Sequence, residues 1–172
     1  MTGWHREGQG WSASAHDAEQ MRALGADVAG RLLPGDVVVL DGPLGAGKTT
    51  FTQGIGTALS VRGAVTSPTF VIARRHPGPG PALVHVDAYR LAGSVEVDDL
   101  DLDADLDQAV TVVEWGTGKV EGLAADRLEV VITRDLGAAV DPEDPEDPAG
   151  GARAVHVRGV GPRWAGLVLG AK

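Results

Sequence analysis

Val37-Val38-Val39-Leu40-Asp41-Gly42-Pro43-Leu44-Gly45-Ala46-Gly47-Lys48-Thr49-Thr50 is the stretch on which the reading of the whole chain turns. Val37 to Leu40 form an unbroken, β-branched apolar run, as expected of a central strand covered on both faces. Gly42 to Thr49 then fit G-x-x-x-x-G-K-[ST] at every fixed position. Glycines there permit backbone angles denied to other residues, so consecutive N–H groups can turn inward around phosphate oxygens, and the following helix adds its positive end. Thr49 to Leu59 reads as that helix. Strand, loop and helix in this order predict a nucleotide site. Gly42, Leu44, Gly45, Ala46 and Gly47 supply its backbone, Lys48 reaches the β- and γ-phosphates, and the Thr49 hydroxyl ligates Mg²⁺. Asp41 and Thr50 frame the loop, with Thr50 also a candidate for an α-phosphate contact.

Before this stretch, Met21, Leu24, Val28 and Leu32 recur at helical spacing behind Ser14 and Asp17, which stand in a capping-box arrangement, so a helix is expected from Ser14 to near Pro34-Gly35. Residues 1–13 show no periodic pattern and read as a flexible leader. After it, strands are expected at Phe70 to Ala73, Leu83 to Val86, Val110 to Val113, Leu128 to Ile132 and Ala154 to Val157, with a short helix at Ser94 to Leu100. Gly137 to Ala152 contains DPEDPEDPAGG, where proline and acid leave nothing to bury, and reads as a flexible acidic loop. The expectation is an α/β chain with a central mixed sheet, a parallel core, antiparallel late strands and helices on both faces.

Composition bounds the rest. With 172 residues, residues 14–172 are expected to form a single domain. Hydrophobic residues at 43% and charged residues at 23% match an ordinary globular protein and exclude a charge-dominated disordered chain. No run approaches the length of a membrane span and the N-terminus has no signal-like apolar stretch, so a cytoplasmic protein is expected. The absence of cysteine excludes disulfides, thiolate zinc sites and cysteine nucleophiles. Fifteen Lys plus Arg against 24 Asp plus Glu give a net charge of −9, which argues against an independent grip on nucleic acid.

Hydrolysis of a bound nucleotide needs a carboxylate at a strand end. Asp87 ends Leu-Val-His-Val-Asp and Glu114 ends Val-Thr-Val-Val-Glu, where an open α/β sheet presents groups to its ligand crevice. Glu114 is assigned to the Mg²⁺ shell and Asp87 to orienting water or supporting the metal ligands, with the roles exchangeable. Asp98 to Asp107 superficially resembles a calcium loop, but counting from Asp101 places Leu106 where glycine is needed and Val112 where glutamate is needed. A solvated acidic surface fits better. The five histidines show no metal-ligand spacing. His85 is read as an ordinary strand residue near Asp87, or one orienting it, and Trp115 as core or a wall of the site. Arg74, Arg75 and Arg90 are alternative partners for a γ-phosphate.

GPLGAGKTTFTQGIGTAL, TSPTF, HVDAYRL and VVEWG, in this order within about 75 residues, together resemble the TsaE family, small bacterial P-loop ATPases required for threonylcarbamoyladenosine formation in tRNA. The resemblance runs from about Ser14 to Val157. It implies a P-loop NTPase fold and a subunit acting with TsaB and TsaD, in which ATP hydrolysis, weak alone, supports turnover of the modifying complex without carrying out the transfer. It implies nucleotide-binding roles for Lys48, Thr49 and Thr50, roles in Mg²⁺ binding and hydrolysis for Asp87 and Glu114, a switch-like loop at Ser67 to Thr69 with Thr69 near the γ-phosphate, and Trp115 beside the site. The tRNA would be met only through the complex. VIARRH after SPTF departs from the acidic or tyrosine-containing stretch common in relatives. Alternatives are a stand-alone small-molecule kinase, or a nucleotide-sensing module that does not hydrolyse. A GTP switch is disfavoured because the chain has no asparagine for an N-K-x-D element.

Overall fold

The computed structural model describes residues 3–68, 72–91, 106–134 and 151–170. In chain order the elements are β1 (His5–Glu7), β2 (Gly10–Ala15), α1 (Ala18–Ala29), β3 (Val37–Asp41), α2 (Lys48–Ala58), β4 (Ala73–His76), β5 (Ala82–Asp87), β6 (Ala109–Glu114), β7 (Arg127–Arg134) and β8 (Arg153–Val160), followed by a 3₁₀ turn at Pro162–Trp164. All eight described strands join one mixed sheet in the order β1-β2-β8-β7-β3-β6-β5-β4. The core β7, β3, β6 and β5 is parallel, and the outer pairings are antiparallel. β7 therefore has two characters, antiparallel to β8 as expected of neighbouring late strands and parallel to β3.

The pleat of the central strands separates two cores. Val38 and Leu40 of β3, Val110 and Val112 of β6 and Val130 and Ile132 of β7 face one side, where Met21, Leu24 and Val28 of α1 and Phe51 and Ile55 of α2 cover them. Val37, Val39, Val84, Val86 and Val113 face the other, under Leu91 and Val120 with Ile72, Leu106 and Leu123. Both α1 and α2 thus lie on one face. On the opposite face the described cover includes Leu106, a helical residue that directly follows the undescribed residues 92–105. Phe51 is fully buried, so its truncation to alanine should cost about 3–5 kcal/mol.

Two expectations are corrected. The supposed flexible leader contains β1 and β2, a hairpin whose second strand pairs with β8 from Trp11↔Val157 to Ala15↔Arg153. Ser14 lies within β2, so it does not cap the helix. Asp17 does so, its carboxylate accepting from the Gln20 backbone N–H at 2.7 Å while the Gln20 side chain accepts from His16 N–H at 3.1 Å. This reciprocal pair satisfies the Gln20 N–H that the first turn leaves free and the His16 N–H just before the cap.

α1 and α2 cross with backbone almost touching. A Cβ on Gly25 would lie 2.1 Å from the Phe51 carbonyl oxygen, and one on Gly54 would lie 2.0 Å from that of Arg22. The residues Ser94 to Leu100, Thr69 and most of the acidic loop lie outside the described residues. Among the described residues, no helix is long and apolar enough to cross a membrane.

Candidate functional site

β3 delivers Asp41 to the end of the parallel core, and the loop that follows feeds directly into α2. Gly47 takes the N-cap position at φ +104°, a left-handed conformation that a side-chain-bearing residue adopts only with strain, and Met21 Cε would lie 3.3 Å from a Cβ placed there. No acidic residue occupies the first turn of α2, so the positive end of the helix is not neutralised by its own side chains. Lys48 opens the helix and is only 6% exposed. Its ammonium donates to the carbonyls of Gly42 (2.8 Å) and Pro43 (3.0 Å) and sits 4.0 Å from the centroid of the Trp115 ring. Burial pushes the Lys48 pKa below its ordinary value, against the opposing pull of Glu114, then Asp87 and Asp41.

The two strand-end carboxylates are brought together. Asp87 of β5 and Glu114 of β6 are register partners, 6% and 3% exposed. Glu114 Oε1 accepts from the Thr49 hydroxyl at 3.2 Å and lies 2.8 Å from Nε2 of His85, which is fully buried. A carboxylate can only accept here, so the proton belongs on His85 Nε2. Nδ1 has no partner among the described residues. His85 therefore holds Glu114, where the sequence reading offered Asp87. The Asp87 carboxylate accepts from the Tyr89 backbone N–H at 2.9 Å, turning the chain so that the Tyr89 ring meets Trp115 at 5.1 Å between centroids. Trp115 itself has φ +60° and donates its backbone N–H to Leu40 at 3.0 Å. Asp41 accepts from the backbone N–H and hydroxyl of Thr117, joining the segment after β6 to the end of β3.

Gly42, Leu44, Gly45, Ala46, Gly47, Lys48, Thr49, Thr50, Asp87, Glu114 and Trp115 thus converge at one end of the parallel core, leaving aside Thr69, which is not described. The result is a helix N-terminus and an ammonium facing a pair of carboxylates and a hydroxyl. Such a set can hold an anion on one side and a hard cation on the other. Residues 15–139 match a family model described as threonylcarbamoyl adenosine biosynthesis protein TsaE. The chain belongs to the TsaE family.

Relatives named tRNA threonylcarbamoyladenosine biosynthesis protein TsaE include one from Streptomyces coelicolor, 57% identical over 84% of this chain and 94% of its own length. Another, from Mycobacterium tuberculosis, is 49% identical over 73% of this chain and 80% of its own length. A crystal structure of YdiB from Bacillus subtilis superposes with a TM-score of 0.69 at 31% identity, covering 93% of this chain and 92% of that one. In this TsaE family member, Arg74 turns to the Thr66 hydroxyl at 3.0 Å. A guanidinium that sequence reading missed, Arg134 at the end of β7, reaches the loop, with Nη2 3.1 Å from the Gly45 carbonyl and 3.4 Å from that of Leu44. The available signal was the length of the apolar strand leading to it, but register is needed to place its end beside the TsaE loop.

Proposed function

We propose that this chain is a cytoplasmic Mg²⁺-dependent P-loop ATPase that supports threonylcarbamoyl modification of the adenosine next to the anticodon in tRNA. It acts as a subunit with TsaB and TsaD and is not the transferase. The observation carrying this reading is the junction of Thr49, Glu114 and His85 beside Lys48, at the N-terminus of a helix with no acid of its own.

The donor set fits the metal. Among the described residues no three His, Cys, Asp or Glu side chains form a cation cage. Mg²⁺ rarely uses one, binding instead through one or two carboxylates, phosphate oxygens and water. Thr49 and Glu114 would hold it, supported by Asp87, and it would neutralise charge on the β- and γ-phosphate oxygens. On the protein side, backbone N–H groups of the loop and of the first turn of α2 bind phosphate oxygens. Lys48 exchanges its loop carbonyls for the β- and γ-phosphates, which relieves a buried ammonium held by neutral acceptors. Asp87, one strand over from Glu114, is placed to orient water.

The test is tRNA modification reconstituted from purified components. Lys48→Ala should abolish repeated turnover and lower ATP hydrolysis by about 10²–10³-fold, the usual loss when a charge-stabilising group is removed. Phosphate release should be slow for the protein alone and rise when TsaB and TsaD are added. Rates indifferent to both partners, or full multiple turnover with Lys48→Ala, would overturn the reading.

A further inference from the structure

We propose that Arg134 is a positioning residue of the phosphate loop, holding the outer carbonyls of Leu44 and Gly45 so that the loop keeps its shape and the Gly45 N–H faces, and binds, a phosphate. This deepens the phosphate-binding reading above and rests on it.

The geometry begins with register. β3 stops at Asp41, which pairs with Val131, but β7 continues to Arg134. That three-residue overshoot carries the Arg134 side chain to the outside of the loop, where Nη2 lies within 3.1 Å of Gly45 O and 3.4 Å of Leu44 O. The crest of the loop has little other support, since the Leu44 side chain is 87% exposed. Gly45 is one of the unconstrained positions of the G-x-x-x-x-G-K-[ST] pattern, yet glycine is demanded here. Its φ is +72°, and a Cβ would stand 2.7 Å from Arg134 Nη2. The guanidinium and the bare Cα therefore fit as a pair.

In a trans peptide the C=O and N–H point in opposite directions. Holding the Leu44 carbonyl fixes the Gly45 N–H on the other side, while the Gly45 carbonyl is held in the peptide whose Ala46 N–H closes the loop on Pro43 O at 3.0 Å. A cation on the carbonyl oxygen also polarises the peptide, making its N–H a stronger donor toward an anion. Arg134 thereby adds positive character to the loop without occupying it. The buried Nε has no hydrogen-bond partner among the described residues, so the loop carbonyls are met through Nη2.

Calorimetric titration of the full chain with ADP and with ATP tests the proposal, using the wild type, Arg134→Met, Arg134→Lys and Lys48→Ala. Arg134→Met should weaken both nucleotides by the same factor, about tenfold or more. Arg134→Lys, which keeps the charge but not the fork, should recover part of that loss. In phosphate-release assays the defect should fall on KM and not on kcat, whereas a folding defect would lower kcat and binding stoichiometry and would not be relieved by Lys. Affinities within about twofold of wild type for both nucleotides in Arg134→Met would overturn the proposal. A loss confined to ATP would overturn it too, by making Arg134 a γ-phosphate contact. If wild type binds and only Lys48→Ala fails, the phosphate site stands and the role of Arg134 is rejected. If wild type binds neither nucleotide, the phosphate reading and the proposal fall together.

Discussion

Glu114 gives one oxygen, Oε1, to two donors from different elements, the Thr49 hydroxyl on α2 and the His85 imidazole on β5. Removing His85 would leave a buried carboxylate free to change rotamer. On the proposed function His85→Leu should lower ATP hydrolysis by about 10–100-fold, the usual loss when a group orienting a metal ligand is removed. His85→Gln, which restores an N–H donor, should retain most of it. Phosphate release by the three proteins checks this, and equal rates for Leu and wild type would refute it. The placement of Lys48, Thr49, Asp87 and Glu114 at one end of the parallel core was legible in the sequence because each position follows a local rule, the loop spelling or the end of an apolar run. The partner of His85 was not. His85 and Asp87 share a sheet face because side chains alternate, but the register opposes His85 to Val112 and Asp87 to Glu114, so the carboxylate it meets lies diagonally across the strands. Only strand pairing reveals that.

The elements that hold the loop are fixed by contacts with little slack. Alanine is a better helix former than glycine by about 1 kcal/mol, so Gly54→Ala would stabilise an isolated α2. Here the added Cβ would meet the Arg22 carbonyl at 2.0 Å, and overpacking of this kind costs about 1–3 kcal/mol. Gly54→Ala should lower the urea midpoint of unfolding, and a midpoint at or above wild type would show that the helices can separate without cost. Glu129 joins β7 to β8 by accepting from Arg127 at 2.8 Å and from Arg158. Burial alone would raise its pKa, but hydrogen bonds and charge from Arg158 and Arg127 win and hold it below the ordinary carboxylate value of 4.5. The sign follows. The stabilisation is present above that value and is lost as pH falls through it toward the lower folded value. Between about pH 6 and pH 3 the urea midpoint should fall more steeply for wild type than for Glu129→Gln, and parallel slopes would contradict the assignment. Element boundaries were less legible than element types. Ser14 satisfied the cap rule on spelling, yet β2 runs through it because its partner β8 lies almost at the other end of the chain, beyond any local pattern.

For the whole molecule, charge sets the expected partner behaviour. With a formal charge of −9, the isolated protein should leave tRNA mobility unchanged in native gels at physiological salt, and a salt-sensitive shift at micromolar protein would count against indirect contact. The parallel core of the fold was readable because its strands are short, continuous apolar runs buried on both sides, as in β3, β5 and β6. What covers the face opposite α1 and α2 was not, because apolar periodicity says that a face is covered without saying by what. The order of strands also has an outcome for the behaviour of concentrated solutions. Among the described residues the sheet terminates in β1 at one margin and β4 at the other, strands of only three and four residues that carry His5-Arg6-Glu7 and Ala73-Arg74-Arg75-His76. Short, charged margins are poor templates for a further strand, so stacking of one sheet's border on another should be suppressed. Arg74→Val combined with Arg75→Val would remove that protection, and increased light scattering on storage, with secondary structure intact, is the expected sign of self-association.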